Sequence, residues 1–381
     1  MIGPLLLVLL MFGAAIVFAV VLNGWRETVA REVSVQQTTG TITKERPTVA
    51  MIVPARNAAD TITPLLQDLY AQDYDRERVT VIVVDDASED GTSDKVRALM
   101  PHWPQLKLLP CDGEGKKAAI TTGVLATGAE WILMTDADAR CGPERLRLLI
   151  EHVQRTASDL VLMPVATDGD GVLGRLQENE QAALMMCATA ETIQGKPMLA
   201  SGANLAFRRT AFMEVRGFQG DRYASGDDIF LVQRMRNAGK RISYLLSAGA
   251  IVRVEGERTW GGFFRQRMRW AGKMRGVPWR RKWMPALGVL FPWLLLLVTL
   301  SVDWPAVIGQ RFAMNALLIA GSWVLWLASL PALVRDGKRF LGQRYSWAGA
   351  VLSYLAFTVY SPVLAVLGMF RHPTWKGRRI R

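Results

Sequence analysis

The fold of this chain is decided by the stretch Val79-Thr80-Val81-Ile82-Val83-Val84-Asp85-Asp86-Ala87-Ser88. Its first six residues are all β-branched, which favours a strand buried on both faces. Two acidic residues follow it directly. A buried apolar strand that ends on acids is typical of a parallel sheet, in which ligands bind beyond the carboxyl ends of the strands.

Apolar strands and helical segments alternate on both sides of this stretch. Strands are predicted over Val49–Val53, Leu106–Leu109 and Trp131–Met134, and helices over Thr61–Tyr70 and Lys117–Leu125. Such alternation indicates βαβ units. We therefore predict an α/β domain with a mainly parallel sheet over residues 46–262.

The charge of the chain is unevenly distributed. The 381 residues carry 46 Lys+Arg against 34 Asp+Glu, a net charge of +12, and 50% of them are hydrophobic. Residues 263–381 hold 18 of these cations and only two acids. The cations flank apolar runs rather than a soluble face, which disfavours a nucleic-acid partner and favours a membrane protein with a mildly acidic soluble domain.

An N-terminal membrane anchor is predicted over residues 1–25, which carry no charge. A bilayer core needs about 20 apolar helical residues. No cation precedes the apolar run, which argues against a cleaved signal peptide. The first cations, Arg26 and Arg31, follow the run and predict that the chain beyond it is cytoplasmic.

Three more uncharged runs make residues 283–381 a C-terminal membrane region. They are Trp283–Val302, Phe312–Val334 and Tyr345–Phe370, and each is long enough to cross. A third full crossing would leave the five cations of Arg371–Arg381 outside, against the charge rule. Alternatively, Ser361-Pro362 breaks the third run into a re-entrant hairpin. The sequence leaves both alternatives open.

The segment Phe263–Lys282 has the composition of an amphipathic helix in the headgroup layer. It contains eight cations, no acid, and the aromatic residues Phe263, Phe264, Trp270 and Trp279. Cations and large aromatic residues together are typical of interfacial helices.

Three polar clusters follow predicted strands and should meet at one edge of the sheet: Pro54–Asn57, Asp85–Ser88 and Asp136–Asp138. The last offers hard carboxylate oxygens to Mg²⁺ or Mn²⁺, which pair with phosphate. Asp85-Asp86 suits hydrogen bonds from a base or ribose, or alternatively a helix cap with Ser88. Gly113–Lys117 precedes a predicted helix, where backbone N–H groups favour a phosphate.

In this order the motifs resemble those of the family-2 glycosyltransferases, over roughly residues 47–275. The resemblance is to their membrane-embedded branch, which includes cellulose and hyaluronan synthases and ceramide glucosyltransferase. It is carried by Val53–Asn57, Val84–Thr92, Gly115–Ala119, Thr135–Asp138, Ser201–Arg208, Gly226–Leu231 and Gln266–Trp270.

The resemblance implies a Rossmann-like domain of the GT-A type that binds a nucleotide-sugar with Mg²⁺ or Mn²⁺. The implied donor-binding residues are Pro54, Arg56, Asp85, Asp86, Lys116, Asp136, Gln266 and Arg269. Asp136 and Asp138 match the family's metal-binding pair. Asp228 matches the general base, and Asp227 stands where many relatives have Glu, next to the acceptor. Trp270 matches the residue that contacts the acceptor.

The implied activity is that of a membrane-bound inverting glycosyltransferase of the inner (plasma) membrane. It would move a hexose from a nucleotide-sugar, UDP-linked by preference, to a lipid-linked acceptor at the cytoplasmic face. One alternative is a processive polysaccharide synthase of the same family. Another is a catalytically silent scaffold subunit that binds nucleotide-sugars. A catalytically inactive subunit is disfavoured, because the chain retains Asp138, Asp228 and the Gln266–Trp270 motif.

Overall fold

The computed structural model describes residues 2–38, 46–221, 226–273, 283–301, 310–370, 374–375 and 378–379. The strands are β1 (Val49–Ala55), β2 (Val79–Asp85), β3 (Leu106–Pro110), β4 (Trp131–Met134), β5 (Ala139–Cys141), β6 (Leu160–Leu162), β7 (Val165–Asp168), β8 (Leu205–Arg208), β9 (Ile242–Tyr244), β10 (Val252–Glu255), β11 (Thr374–Trp375) and β12 (Arg378–Arg379). The helices are α1 (Ile2–Thr38), α2 (Ala59–Tyr70), α3 (Thr92–Leu99), α4 (Lys116–Leu125), α5 (Arg145–Thr156), α6 (Gly171–Ile193), α7 (Arg209–Glu214), α8 (Asp227–Asn237), α9 (Trp260–Lys273), α10 (Trp283–Ser301), α11 (Gln310–Phe340) and α12 (Trp347–Phe370).

The predicted α/β domain with a mainly parallel sheet is confirmed. Seven strands pair in the order β3-β2-β1-β4-β8-β6-β9. The strands β3, β2, β1 and β4 are parallel, whereas β8 runs antiparallel to both β4 and β6. A smaller sheet has the order β5-β10-β7. The carboxyl ends of β1, β2 and β4 meet at one edge, where the chain order reverses around β1.

Strand β1 shows why the strands read as continuous apolar runs. Its alternate side chains Ala50 and Ile52 pack in one core with residues of α4 and α6. Val49, Met51 and Val53 pack in a second core with residues of α2 and α5. Because helices cover both faces of the sheet, neither set of side chains meets water.

The helices predicted to cross a membrane form at both ends of the chain. Among the described residues, three segments are long and apolar enough to span: Leu5–Ser34, Ala313–Phe340 and Trp347–Leu367. The segment Ala286–Ser301 of α10 is a shorter apolar helix. Helix α12 continues through Pro362 without a break, so the structure has the continuous alternative rather than the hairpin.

Helix α1 is longer than a bilayer requires. Its 37 residues extend about 55 Å at the α-helical rise, whereas about 20 residues span the hydrocarbon core. The C-terminal half supplies Leu22 and Val29 to the core of the α/β domain. The helix predicted to anchor the chain therefore continues into the packing of the α/β domain.

Helix α9 contains the first part of the segment predicted to lie in the headgroup layer. Phe263 is fully buried, in a cluster with Leu173 and Leu176 of α6 and beside Tyr360 of α12. This ring is covered by protein rather than by lipid headgroups. The interfacial position of the whole segment stays a prediction, and residues 274–282 lie outside the described part.

Candidate active site

The loops that follow β1 and β2 are joined by a buried arginine. Arg56 Nη1 donates to the backbone carbonyls of Asp86, at 2.5 Å, and of Ala87, at 3.2 Å. Pro54, at the end of β1, pairs in register with Val84 of β2. The residues predicted to surround a base thus lie together, but this nitrogen of Arg56 is engaged by the loop backbone.

Asp85 and Asp86 have different environments. The Asp85 carboxylate accepts hydrogen bonds from Ser88 Oγ at 2.5 Å and from Ser93 Oγ at 2.6 Å. It therefore holds the β2–α3 turn, but it does not cap α3, whose N-cap residue is Gly91. Asp86 is buried, and its Oδ2 accepts from the backbone N–H of Gly115 at 3.1 Å. Asp86 thus ties the β2 edge to the loop before α4.

Lys116 links two of the predicted acidic groups. Its Nζ lies 2.6 Å from Asp136 Oδ1, after β4, and 3.1 Å from Asp227 Oδ2, at the start of α8. Burial opposes the charge of Lys116, but the attraction of Asp136, Asp227 and Asp228 outweighs it and raises the pKa of the lysine. The lysine is therefore a fixed cation between the two carboxylates.

Gly202 is required by this ion pair. A Cβ atom at Gly202 would lie 2.5 Å from Asp227 Oδ2 and 2.8 Å from Lys116 Nζ, closer than van der Waals contact permits. The motif Ser201–Arg208 contains this glycine. The sequence offered no reason for it, because the reason is a close approach between distant segments.

Asp227 and Asp228 occupy the first turn of α8, and both are buried. Asp228 Oδ1 accepts a hydrogen bond from the backbone N–H of Ile229 at 2.8 Å. The positive end of the helix dipole stabilises negative charge at this position. The helix begins after Gly226, whose φ of +91° suits glycine.

The acidic residues predicted to bind a metal lie at an open edge. The side chain of Asp136 is 32% exposed, and Asp138 is exposed. Within the described residues no cluster of three or more His, Cys, Asp or Glu forms a closed metal site. Two carboxylates at an open edge fit Mg²⁺ or Mn²⁺ that completes its shell with diphosphate oxygens and water.

A buried arginine that sequence reasoning missed supports the end of β4. Arg145 is fully buried and donates to Asn204 Oδ1 at 3.0 Å, Thr135 Oγ1 at 2.7 Å and the Met134 carbonyl at 3.1 Å. Burial lowers the pKa of its guanidinium. The hydrogen bonds from Arg145 thereby fix the position of Met134 and Thr135, which directly precede Asp136. No local pattern marks Arg145, because its partners come from other elements.

The motif residues Gln266, Arg269 and Trp270 lie on α9. Gln266 and Trp270 contact Arg267, through a hydrogen bond and a cation–π contact. No hydrogen bond or ion pair seen among the described residues joins Gln266 to the aspartates. The structure thus connects Arg56, Asp86, Lys116 and their partners, and it joins Gln266 to Trp270 through Arg267.

The chain matches known glycosyltransferases in sequence. Residues 50–216 match the family described as Glycosyl transferase family 2. The chain is 28% identical over 238 residues to the "Probable glycosyltransferase YdaM" of Bacillus subtilis (strain 168), covering 60% of this chain and 55% of that protein. It is 24% identical over 226 residues to the "Poly-beta-1,6-N-acetyl-D-glucosamine synthase" of Staphylococcus aureus (strain MW2), covering 58% and 53%. It is 29% identical over 217 residues to the "Succinoglycan biosynthesis protein ExoO" of Rhizobium meliloti (strain 1021), covering 55% and 61%. The chain therefore spans about half the length of these relatives.

Solved structures whose backbone resembles this chain include the mannosyltransferase PcManGT from Pyrobaculum calidifontis, in complex with GDP-Man and Mn²⁺. The TM-score is 0.48 at 20% identity, over 94% of this chain and 96% of that one. The matched family region extends from β1 to beyond β8 and includes Asp86, Lys116 and Asp136, whereas Asp228 and α9 lie past it. Residues 50–216 thus match family 2 of the glycosyltransferases in sequence, and they contribute most of a mainly parallel sheet with acids at its carboxyl edge.

Proposed function

We propose that this protein is a membrane-bound enzyme that transfers a hexose from a nucleotide-sugar to a hydroxyl group of a growing glycan. The observation that carries the proposal is the network in which Lys116 joins Asp136 to Asp227 at the carboxyl edge of the sheet. A cation between acids from separate elements suits a site that must hold a diphosphate, a metal ion and an acceptor hydroxyl close together.

The donor side of the proposed site is built from the first half of the domain. Asp86 is a buried acceptor for a base N–H such as the N3–H of uracil, which fits the UDP-linked sugar that the family resemblance implies. Lys116 binds the diphosphate, with Gln266 and Arg269 supplied by α9. Asp136 and Asp138 would hold Mg²⁺ or Mn²⁺, and the bound ion would supply positive charge to the leaving diphosphate.

The acceptor side is assigned to the start of α8. Asp228 takes the proton of the acceptor hydroxyl while the oxygen attacks the anomeric carbon. The bond from that carbon to the diphosphate breaks on the opposite face, so one displacement inverts the configuration. Asp227 and Trp270 hold the acceptor.

We also propose that the catalytic domain faces the cytoplasm. The cation Arg26 pairs with Asp336 at 2.6 Å, and Lys338 pairs with Glu178 of α6 at 2.6 Å. Through these ion pairs, the cations that follow the apolar parts of α1 and α11 lie on the side of the catalytic domain. Cations at the membrane edge favour the cytoplasmic side.

Two classes of acceptor, a growing glycan and a lipid-linked sugar, are each favoured by a different observation. The relatives from Staphylococcus aureus and Rhizobium meliloti are named for polysaccharide and succinoglycan synthesis, which favours a growing glycan. A lipid-linked acceptor is the second candidate, because α9, which carries Trp270, packs beside α12, a helix able to span a membrane.

The test is sugar transfer by the full-length protein in detergent, supplied with UDP- and GDP-sugars, Mn²⁺ and a membrane extract. We expect release of one nucleoside diphosphate and a labelled product. A water-soluble product identifies a glycan acceptor, and a solvent-extractable product a lipid.

The matched control is Asp228→Asn, which should bind nucleotide normally by calorimetry and lower turnover about 10²- to 10⁴-fold, the usual contribution of a positioned base. Binding of nucleotide-sugar without any release by the parent protein would instead support a silent binding subunit.

A further inference from the structure

Three consecutive residues of α6 join the catalytic domain to three other helices. Glu178 pairs with Lys338 of α11 at 2.6 Å, and Asn179 donates hydrogen bonds to α12. Glu180 pairs with Arg267 of α9 at 2.6 Å. Because α6 also supplies side chains to the core under the sheet, Glu180 ties α9 to the catalytic domain.

The side chain of Arg267 is only 6% exposed and contacts Glu180, Gln266 and two aromatic rings. Its Nη2 and Nε lie 2.6 and 2.9 Å from Glu180 Oε2. Its Nη1 donates to Gln266 Oε1. Its guanidinium lies over the rings of Phe263 and Trp270, 4.5 and 4.2 Å from their centroids. One buried cation therefore contacts two residues of the motif Gln266–Trp270.

These contacts orient both motif side chains. When the Gln266 carbonyl accepts from Arg267, the amide NH₂ group is left to donate, which suits an anionic diphosphate. The guanidinium covers one face of the Trp270 ring and restricts its rotamer, so that the other face has a defined direction.

We propose that Arg267, held by Glu180, is a positioning residue that sets the Gln266 amide toward the donor and the Trp270 ring toward the acceptor. This inference rests on the proposed function, in which the α9 motif contacts both substrates. Lysine at this position would keep the charge but lose the planar fork that holds Glu180 and stacks on the rings.

The test compares steady-state constants of full-length R267M, R267K and E180Q with those of the parent protein. We expect R267M and E180Q to raise the acceptor KM and to lower kcat/KM by about ten- to hundredfold, the effect of a small misplacement of a substrate-contacting group. R267K should recover part of the loss. E180Q keeps the size of the side chain and provides the result if R267M does not fold.

The matched control is E178Q. Glu178 lies on the same helix as Glu180, but its buried ion pair is with Lys338 of α11 rather than with a residue of α9. E178Q should lower the Tm about as much as E180Q and leave both KM values unchanged. Equal changes in KM for E178Q and E180Q would show a general loss of packing and overturn the positioning role.

A double-mutant cycle separates positioning from bulk stability. If Arg267 acts through Gln266 and Trp270, adding R267M to the Q266A/W270A variant should not lower kcat/KM any further. An additive loss would overturn the inference. Impaired transfer by Q266A and W270A with normal transfer by R267M would overturn the positioning role alone. Normal transfer by Q266A and W270A would overturn the part of α9 in the proposed function as well.

Discussion

Replacing Lys116 by methionine should destabilise the domain by removing the cation between Asp136 and Asp227. The carboxylates lie 2.6 and 3.1 Å from its Nζ, and their side chains are 32% and 7% exposed. Loss of one partner from a buried pair costs about 3–5 kcal/mol. Because water reaches Asp136, we expect the lower end, about 3 kcal/mol. At about 2–4 °C per kcal/mol, the Tm should fall by about 6–12 °C.

The loss of thermal stability in K116M should be larger without a divalent metal ion than with one. Lys116 neutralises the same Asp136 that we propose as a metal ligand, so the variant leaves an uncompensated acidic pair for Mn²⁺. We expect saturating Mn²⁺ to raise the Tm of K116M clearly more than that of the parent protein. Nucleotide affinity should fall, because the diphosphate loses a cation. The assay is thermal unfolding in detergent with EDTA or Mn²⁺, with calorimetry of UDP binding.

A neighbouring lysine provides the control. Lys117 pairs with Asp221 at 2.7 Å, and Asp221 keeps Arg234 at 2.5 Å when Lys117 is replaced. K117M should therefore lose only about 1 kcal/mol, as expected when a second cation remains, and should show no extra response to Mn²⁺. An unchanged Tm of K116M in EDTA, or equal Mn²⁺ shifts in all three proteins, would refute the reasoning.

Three further changes test other parts of the site and the domain. Asp138→Asn should weaken Mn²⁺-dependent donor binding by about tenfold or more, because it removes a hard ligand; calorimetry with and without Mn²⁺ checks this, and an unaltered metal dependence would contradict it. Gly202→Ala places a methyl group 2.5 Å from Asp227 Oδ2, so we expect about 1–3 kcal/mol of destabilisation and weaker donor binding, and an unchanged Tm would show that the pair adapts. Burial and nearby Arg155 lower the pKa of His152 to about 4. The unfolded chain therefore binds a proton from about pH 6.5 downward that the folded domain takes up only near pH 4, and stability falls across this window by about 3 kcal/mol. His152→Gln should flatten this part of the stability profile, and parallel profiles would rule out the assignment.

The sequence alone determined the class of fold and the positions of its four mutually parallel strands β1, β2, β3 and β4. The predicted strand Val79–Val84 is observed as Val79–Asp85, and Trp131–Met134 is observed with the same bounds. Strands covered on both faces need apolar side chains at every position, so their composition is a local signal that needs no knowledge of the partners. The same holds for the uncharged runs at both ends, because a bilayer selects length and hydrophobicity.

Only the tertiary structure decided how the polar side chains pair. Lys116 bridges Asp136 and Asp227, which are separated by 91 positions, and Arg267 reaches Glu180 on a different helix. Periodicity reports which face of an element is buried, but it carries no information about which distant element covers that face. The partners of Asp85 were open for the same reason, since Ser88 is local but Ser93 reaches the Asp85 carboxylate only through the fold of the β2–α3 turn.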